Sequence, residues 1–243
     1  MNFTIPEDFT PFDWRGDFWN YERNLPHWRQ PGVTYFITFR LNDSLPAEVV
    51  EQAKRERDEW EQRILEHLNL LPESLQEDHI AWQRRTWRKM EVVMDECHGS
   101  CLLRQPDIRQ IVADALLFFE GQRSSMHGFV IMPNHIHLAV VALGDYQIED
   151  VIKSWKGYTA RVINEKQQRK GQLWQEDSWN RIIRDEEHWM KVMRYIANNP
   201  TKAHLREGEF TAWFAKRTDV ERVFQPVLRE APPPSPYPED EPW

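Results

Sequence analysis

The sequence predicts an α+β fold of the ferredoxin-like, RRM-like kind, βαββαβ, with a four-stranded antiparallel sheet. Three observations carry this expectation. "VTYFITFRL" (33–41) is dense in β-branched and aromatic residues, as a strand is. "MHGFVIM" and "HIHLAVVAL" are two further apolar strands joined only by "PN", short enough for a tight connection. Helical stretches stand before and after that pair, so the order of elements fits.

Taken in order, residues 1–31 mix Pro, Trp and Arg without a period and read as an irregular arm closed by a turn. After the first strand, "NDSLP" is a turn, with Ser44 placed to cap the next helix. Residues 46–96 read as a helical insertion. A charged helix runs over 46–67, and a second follows in which Trp82, Trp87 and Met90 bury an apolar side and Gly99 ends the segment. "QPDIRQIVADALLFFEGQR" is amphipathic, with Ile108, Ile111, Val112, Ala115, Leu116 and Phe119 on one stripe. The strand pair comes next, then the helix "YQIEDVIKSWKGYTARVINEKQQRK" and a strand at 178–184. The final helix, "DEEHWMKVMRYIANNP", is expected to stop at Pro200.

Composition bounds the class. The 243 residues are 40% hydrophobic and 29% charged, and no stretch approaches an apolar membrane span. The N-terminus has no basic and apolar leader pattern, so a cytoplasmic protein is expected, acting at the bacterial nucleoid if it handles DNA. Cys97 and Cys101 in "CHGSC" read as structural thiols; a zinc half-site there has no second pair to complete it. The net charge of −8 is unevenly spread. Residues 1–149 carry 15 basic and 24 acidic side chains, residues 150–229 carry 16 and 11, and residues 230–243 carry none and 4. That last segment, "EAPPPSPYPEDEPW", is a Pro-rich acidic tail expected to be disordered.

The chemistry-bearing feature is "HIHLAVV". Residues two apart on a strand share a face, so His135 and His137 project side by side and Ile136 faces the other way. Two imidazoles so placed can reach one divalent ion, or they can be ordinary hydrogen-bonded strand residues. Two rings on an apolar strand need partners either way. The last helix offers Tyr195 and Asn199, four apart and so stacked beside its apolar face of Trp189, Val192, Met193 and Ile196.

"FVIMPNHIHLAVV" resembles the core strand of the HUH endonucleases, and "HWMKVMRYIANNP" resembles the nucleophile helix of their single-tyrosine transposase branch. The closer resemblance is to the REP-associated tyrosine transposases, relatives of insertion-sequence transposases. "LPHWRQPGVTYFITFRL", "CHGSCLLRQPDIRQIVADALLFFEGQR", "SWKGYTARVIN" and "LWQEDSWNRIIRDEEH" are similar to that subfamily too, so that the likeness runs over about 24–206. The resemblance implies one such domain over 1–229. It implies that His135 and His137 bind Mg²⁺ or Mn²⁺, that Asn199 is the third ligand, where insertion-sequence relatives often have Gln, and that Tyr195 is the nucleophile. The implied reaction is cleavage and rejoining of single-stranded, REP-like hairpin DNA through a 5′-phosphotyrosine. A monomer is expected, with a dimer as the alternative.

Two rival functions stand beside this one: a non-catalytic DNA-binding protein of the same fold, and a zinc-dependent hydrolase built on the histidine pair. Candidate DNA contacts are Lys153, Lys156, Arg161, Arg181 and Arg184, with Trp155, Trp174 and Trp179 as surfaces for base stacking. Tyr158 is the rival nucleophile, but no amide stands four residues after it.

Overall fold

The structure is a computed structural model that describes residues 3–13, 19–22, 26–66 and 85–215. The acidic tail and Trp82 lie outside the described residues. In chain order the elements are β1 (Trp19–Glu22), β2 (Pro26–Arg29), β3 (Thr34–Arg40), α1 (Ala47–Glu66), α2 (helical residues 85–95), α3 (Pro106–Leu117), β4 (Ser124–Ile131), β5 (His135–Ala142), α4 (Ile148–Lys166), β6 (Trp179–Ile182), α5 (Glu186–Lys202) and β7 (Thr211–Phe214).

The main sheet has the order β6-β3-β5-β4-β7, with every neighbouring pair antiparallel. Its first four strands with α3 and α4 form the expected βαββαβ arrangement. β7 is an addition, paired to the outer edge of β4 through Gly128–Ile131. The four residues "TAWF" are too short to show a period. The strand is anchored by Arg109 of α3, which donates to the Thr211 hydroxyl at 3.0 Å and to the carbonyls of Leu103 and Gly208. The arm is also more regular than its sequence suggests, since β1 and β2 pair as an antiparallel hairpin.

Alternation along the strands divides the interior into two layers. On one face Tyr35, Ile37, Phe39, Ile136, Leu138 and Val140 pack against α3 and α4. On the other, Phe36, Val130 and Ala139 pack with Trp87 and Met94 of α2 and with Trp189, Val192, Met193 and Ile196 of α5. In the ferredoxin-like plan that second face is open. Here the insertion and the last helix cover it.

Two local expectations are corrected. Ser44 does not cap α1: the helix begins at Ala47, its first bonds run from Val49 and Val50 to the Pro46 carbonyl, and the buried Ser44 hydroxyl accepts from Arg40 instead. Pro200 does not stop α5, which continues to Lys202. In the last turn a proline forfeits only the bond its N–H would have made, and the chain leaves the helix at Ala203, whose N–H bonds the Asn199 carbonyl. The start of α5 is fixed by Asp185, whose side chain accepts from the His188 N–H at 2.7 Å.

The insertion is closed at its root. Ser100 N–H bonds the Asp43 carboxylate at 2.9 Å, and Gly99, at φ +81°, lies so close that a Cβ would stand 2.1 Å from the Asp43 carbonyl oxygen. Farther out, Lys89 of α2 pairs with Glu56 of α1 at 3.0 Å. Both thiols are free, and Cys101 Sγ donates to the Cys97 carbonyl at 2.8 Å within this turn, a structural role. Gly99→Ala is expected to destabilise the fold by roughly 2–4 kcal/mol, from the left-handed backbone and the clash together; urea unfolding followed by circular dichroism measures it.

Candidate functional site

His135 and His137 lie on the face of β5 covered by α2 and α5, and neither ring is exposed at all. Their Nε2 atoms stand 3.1 Å apart. The other nitrogen of each ring is held from a neighbouring element. Thr38, paired opposite His137 across β3 and β5, places its hydroxyl 2.6 Å from His137 Nδ1. Asn134, in the three-residue link before β5, places Oδ1 2.7 Å from His135 Nδ1. Its Nδ2 donates to the Met94 carbonyl of α2 at 3.0 Å. That carbonyl only accepts, so the amide orientation is fixed and His135 Nδ1 must carry the proton. His135 Nε2 is therefore a bare acceptor aimed at its neighbour.

The link itself is rigid. Met132 N–H bonds the His135 carbonyl, the Pro133 carbonyl accepts from Leu103, and the Asn134 carbonyl accepts from Leu41. It spans Met132 to Asn134, one residue longer than "PN" suggests.

α5 brings the remaining groups. Tyr195, Asn199 and Lys202 follow one another at i, i+4 and i+7, which is possible only because the helix runs past Pro200. The Tyr195 hydroxyl lies 3.4 Å from His137 Nε2, and the two rings meet edge to face with centroids 5.1 Å apart. Phe36 stacks on His137 and stands edge-on to Tyr195, so apolar rings wall the pair. Asn199 is buried with both amide atoms lacking a well-formed hydrogen bond. It leans toward Tyr195 closely enough to be the least of the influences on that phenol.

Glu91 of the insertion completes the cluster. It is 3% exposed, accepts a hydrogen bond from the Tyr195 hydroxyl, and takes the Lys202 ammonium on the same oxygen at 2.5 Å. Lys202 also reaches Asp95 at 3.5 Å. Electrostatics follow burial. His135 is pushed down to about 3 and His137 well below its ordinary value, by burial first and by neighbouring positive charge second. Tyr195 is pushed well above its ordinary 10, by burial and then by the charge and hydrogen bond of Glu91. Burial also lifts Asp95 to about 6, against the pull of Lys202.

This donor set fits a divalent ion. Two ligands of one ion, each about 2.1 Å from it, stand about 3.0–3.4 Å apart, which is the separation of the two Nε2 atoms. Both Nδ1 atoms have partners of the kind that orient metal-binding imidazoles. The orphaned Asn199 amide is an oxygen donor without an acceptor role elsewhere. Among the described residues no cluster of three or more His, Cys, Asp or Glu is arranged to hold a metal.

The sequence-predicted DNA contacts are split by the fold. Arg181 lies opposite Phe36 in the β3–β6 register and therefore on the histidine face, its guanidinium 5.8 Å from the Trp179 ring. Arg184 follows β6, where its N–H bonds His188 Nδ1 at 3.2 Å. Lys153 and Arg161 are exposed on α4, across the sheet from the histidines. Lys156 is tied to the Glu176 carbonyl at 2.7 Å, and burial lowers it to about 8. Trp155 and Trp174 are core residues rather than stacking surfaces, the latter donating to the Thr159 hydroxyl at 2.9 Å. Trp179 stacks on Trp87 of α2. Tyr158 is half exposed on α4, beside Arg161 and away from the histidine pair.

Sequence reading missed Thr38, Asn134, Glu91, Asp95 and Lys202. Glu91 carries a legible signal: it sits at i+4 from Trp87 and i−3 from Met94, a carboxylate on an inward stripe.

Residues 105–199 match the family model described as "Transposase IS200 like". That stretch begins just before α3 and ends at Asn199, so it contains both histidines and Tyr195. No curated protein matches the chain. Among solved structures, a REP-associated tyrosine transposase bound to a REP hairpin is similar at 14% identity and a TM-score of 0.39, over 79% of this chain and 93% of that one. A protein from Deinococcus radiodurans R1 assigned as a transposase is similar at 15% identity and a TM-score of 0.27, over 77% and 97%.

The buried imidazoles set a pH dependence for the metal-free protein. Folded, they stay neutral, whereas in the unfolded chain they take up protons below about 6.5. Stability is then lost as pH falls from 6.5 toward 3, by roughly 1 kcal/mol or more per unit. Asp95, raised in the folded state, offsets part of this between pH 6 and 3.8. Unfolding with a chelator present should show the decline, and a His135→Ala/His137→Ala protein should show a shallower one.

Proposed function

We propose that this chain is a metal-dependent, single-strand DNA endonuclease and strand transferase that acts on REP-like hairpins, with Tyr195 as nucleophile. The observation that supports it most is the Tyr195 hydroxyl at 3.4 Å from one of two Nε2 atoms that face each other. A nucleophile and an ion-binding pair in one buried pocket suit phosphodiester chemistry. The IS200-like match over 105–199 supports the same reading for the stretch that holds them.

His135, His137 and Asn199 would hold Mg²⁺ or Mn²⁺. The ion would supply Lewis-acid polarisation of the scissile phosphate and stabilise its developing charge. Asn134 and Thr38 keep the two imidazoles turned so that Nε2 faces the site. Phe36 shields them from water, which otherwise competes with the tyrosine for the same phosphorus. Attack by Tyr195 Oη gives a 5′-phosphotyrosine and releases a 3′-hydroxyl. The phosphotyrosine retains the bond energy, so the reverse step joins strands without a nucleotide cofactor.

DNA contact is proposed chiefly for the histidine face. Arg181 and Arg184 lie on or beside it, and Lys153, Lys156 and Arg161 would serve a hairpin that reaches around to α4. Because both histidines are fully covered, a strand gains them only by displacing groups that lie over them.

The test is covalent capture. Full-length protein, labelled single-stranded REP-type hairpin and Mn²⁺ are run on a denaturing gel. The wild type and Tyr158→Phe should form a protein–DNA adduct, while Tyr195→Phe and His135→Ala/His137→Ala should form none. Hairpin binding without an adduct would mark a DNA-binding protein, and Zn²⁺-dependent cleavage without one would mark a hydrolase. Arg181→Ala should lower hairpin affinity and reduce its salt dependence by about one phosphate contact, in a filter-binding titration over salt.

A further inference from the structure

We propose that Glu91 is a further catalytic residue, the acceptor for the Tyr195 hydroxyl proton, supplied by the insertion rather than by the βαββαβ frame. The inference rests on the function proposed above. Glu91 is 3% exposed and sits on the inward stripe of α2 with Trp87 and Met94. Burial among such neighbours disfavours a carboxylate unless it is paired. Lys202 supplies the opposite charge, but its side chain is 49% exposed and also reaches Asp95, so this ion pair alone could have been made at the surface. What requires depth is the second partner, the Tyr195 hydroxyl.

The geometry assigns that proton. The hydroxyl has one hydrogen, and of its neighbours that could accept it, Glu91 Oε1 is much nearer than His137 Nε2, while the Asn199 amide leans on the phenol as well. With its hydrogen toward Glu91, the phenol oxygen turns lone-pair density toward the histidine pair, where the phosphate would be held. As Tyr195 Oη bonds to phosphorus, the O–H electron pair becomes that bond and the proton passes to Glu91 Oε1. The bond from phosphorus to the 3′-oxygen breaks, its electron pair stays on that oxygen, and a solvent water supplies the proton that makes the 3′-hydroxyl. In the rejoining step Glu91 returns its proton to the departing phenolate. A positioned base of this kind contributes about 10²–10⁴-fold in rate.

The experiment measures single-turnover adduct formation on labelled single-stranded REP-type hairpin with Mn²⁺, for wild type, Tyr195→Phe, Glu91→Gln and Glu91→Asp. Calorimetric Mn²⁺ binding, hairpin affinity and thermal unfolding are measured on each. Glu91→Gln should slow the adduct about 100-fold or more, with Mn²⁺ and hairpin affinity within about twofold of wild type. Glu91→Asp keeps an ionised acceptor one methylene farther away, so its rate should fall between the two; it also stands as the test if Glu91→Gln does not fold. An adduct from Glu91→Gln at the wild-type rate overturns the inference alone. So does a faster one, which would make Glu91 a latch on the tyrosine, or a tenfold loss of Mn²⁺ affinity, which would make it a ligand. No adduct from the wild type overturns the function proposed above and this inference with it.

Discussion

Two neutral imidazoles buried on one face of an antiparallel sheet are the constraint around which this molecule is arranged. Desolvation forbids their protonation, so each ring must be satisfied as a neutral donor and acceptor. The sheet supplies part of the answer by register, because antiparallel pairing places Thr38 opposite His137. The link between β4 and β5 supplies the rest, because its three tied residues put Asn134 next to His135. What remains is a pair of Nε2 atoms with little to do but face each other. The rings pack against Phe36 and Tyr195, but in an otherwise apolar core two imidazoles cost more desolvation than apolar side chains of their size would. Under the function proposed above, the two Nε2 atoms are where the ion would sit.

The insertion is the less expected part of the answer. A ferredoxin-like sheet buries one face under its two helices and leaves the other to solvent or a partner. Here the second face takes α2 and α5 together. α2 is positioned by three independent ties: the root closure at Asp43 and Gly99, the Asn134 bond to the Met94 carbonyl, and the stack of Trp87 on Trp179. Its placement is thus specified from the sheet itself and does not depend on the outer contact between α1 and α2. A helix held this firmly can deliver a carboxylate to a fixed point, which a surface loop of the same length cannot.

The fold was legible because its signals are local. Apolar runs, short links and helical stripes can be read one element at a time, and they led to the βαββαβ arrangement with an antiparallel sheet, though not to the fifth strand, β7. The histidine pair was legible for the same reason, since period-two geometry needs no tertiary information. The failures share a cause as well. Whether Trp155 or Trp174 stacks on a base or fills a core depends on which sheet face α4 covers, and spacing along the chain does not say. Ser44 has the right residue type for a cap but is claimed by Arg40, four residues earlier in the chain. Glu91 stands 44 residues from His135 and 104 from Tyr195, and only the closed root of the insertion brings the three together. Its one local clue was a charge where the stripe calls for an apolar residue.

Pro200 shows how much a single local rule can mislead about a site. A helix ending at Pro200 would still place Tyr195 and Asn199 on one face, and the site would seem complete. Two more residues of helix add Lys202 to the same face, one turn beyond Asn199. Without that cation, Glu91 would be a lone buried carboxylate beside a phenol, an arrangement whose desolvation cost nothing nearby offsets. With it, Glu91, Tyr195 and Lys202 form a chain of one acceptor and two donors that is close to neutral. The proline forfeits one bond, that of its missing N–H to the Ile196 carbonyl, and the helix still runs two residues beyond it. That continuation is therefore what allows the second face of the sheet to hold a charged pair next to two neutral rings. Substitutions that shorten α5 should reach the site through Glu91 before they reach it through Asn199.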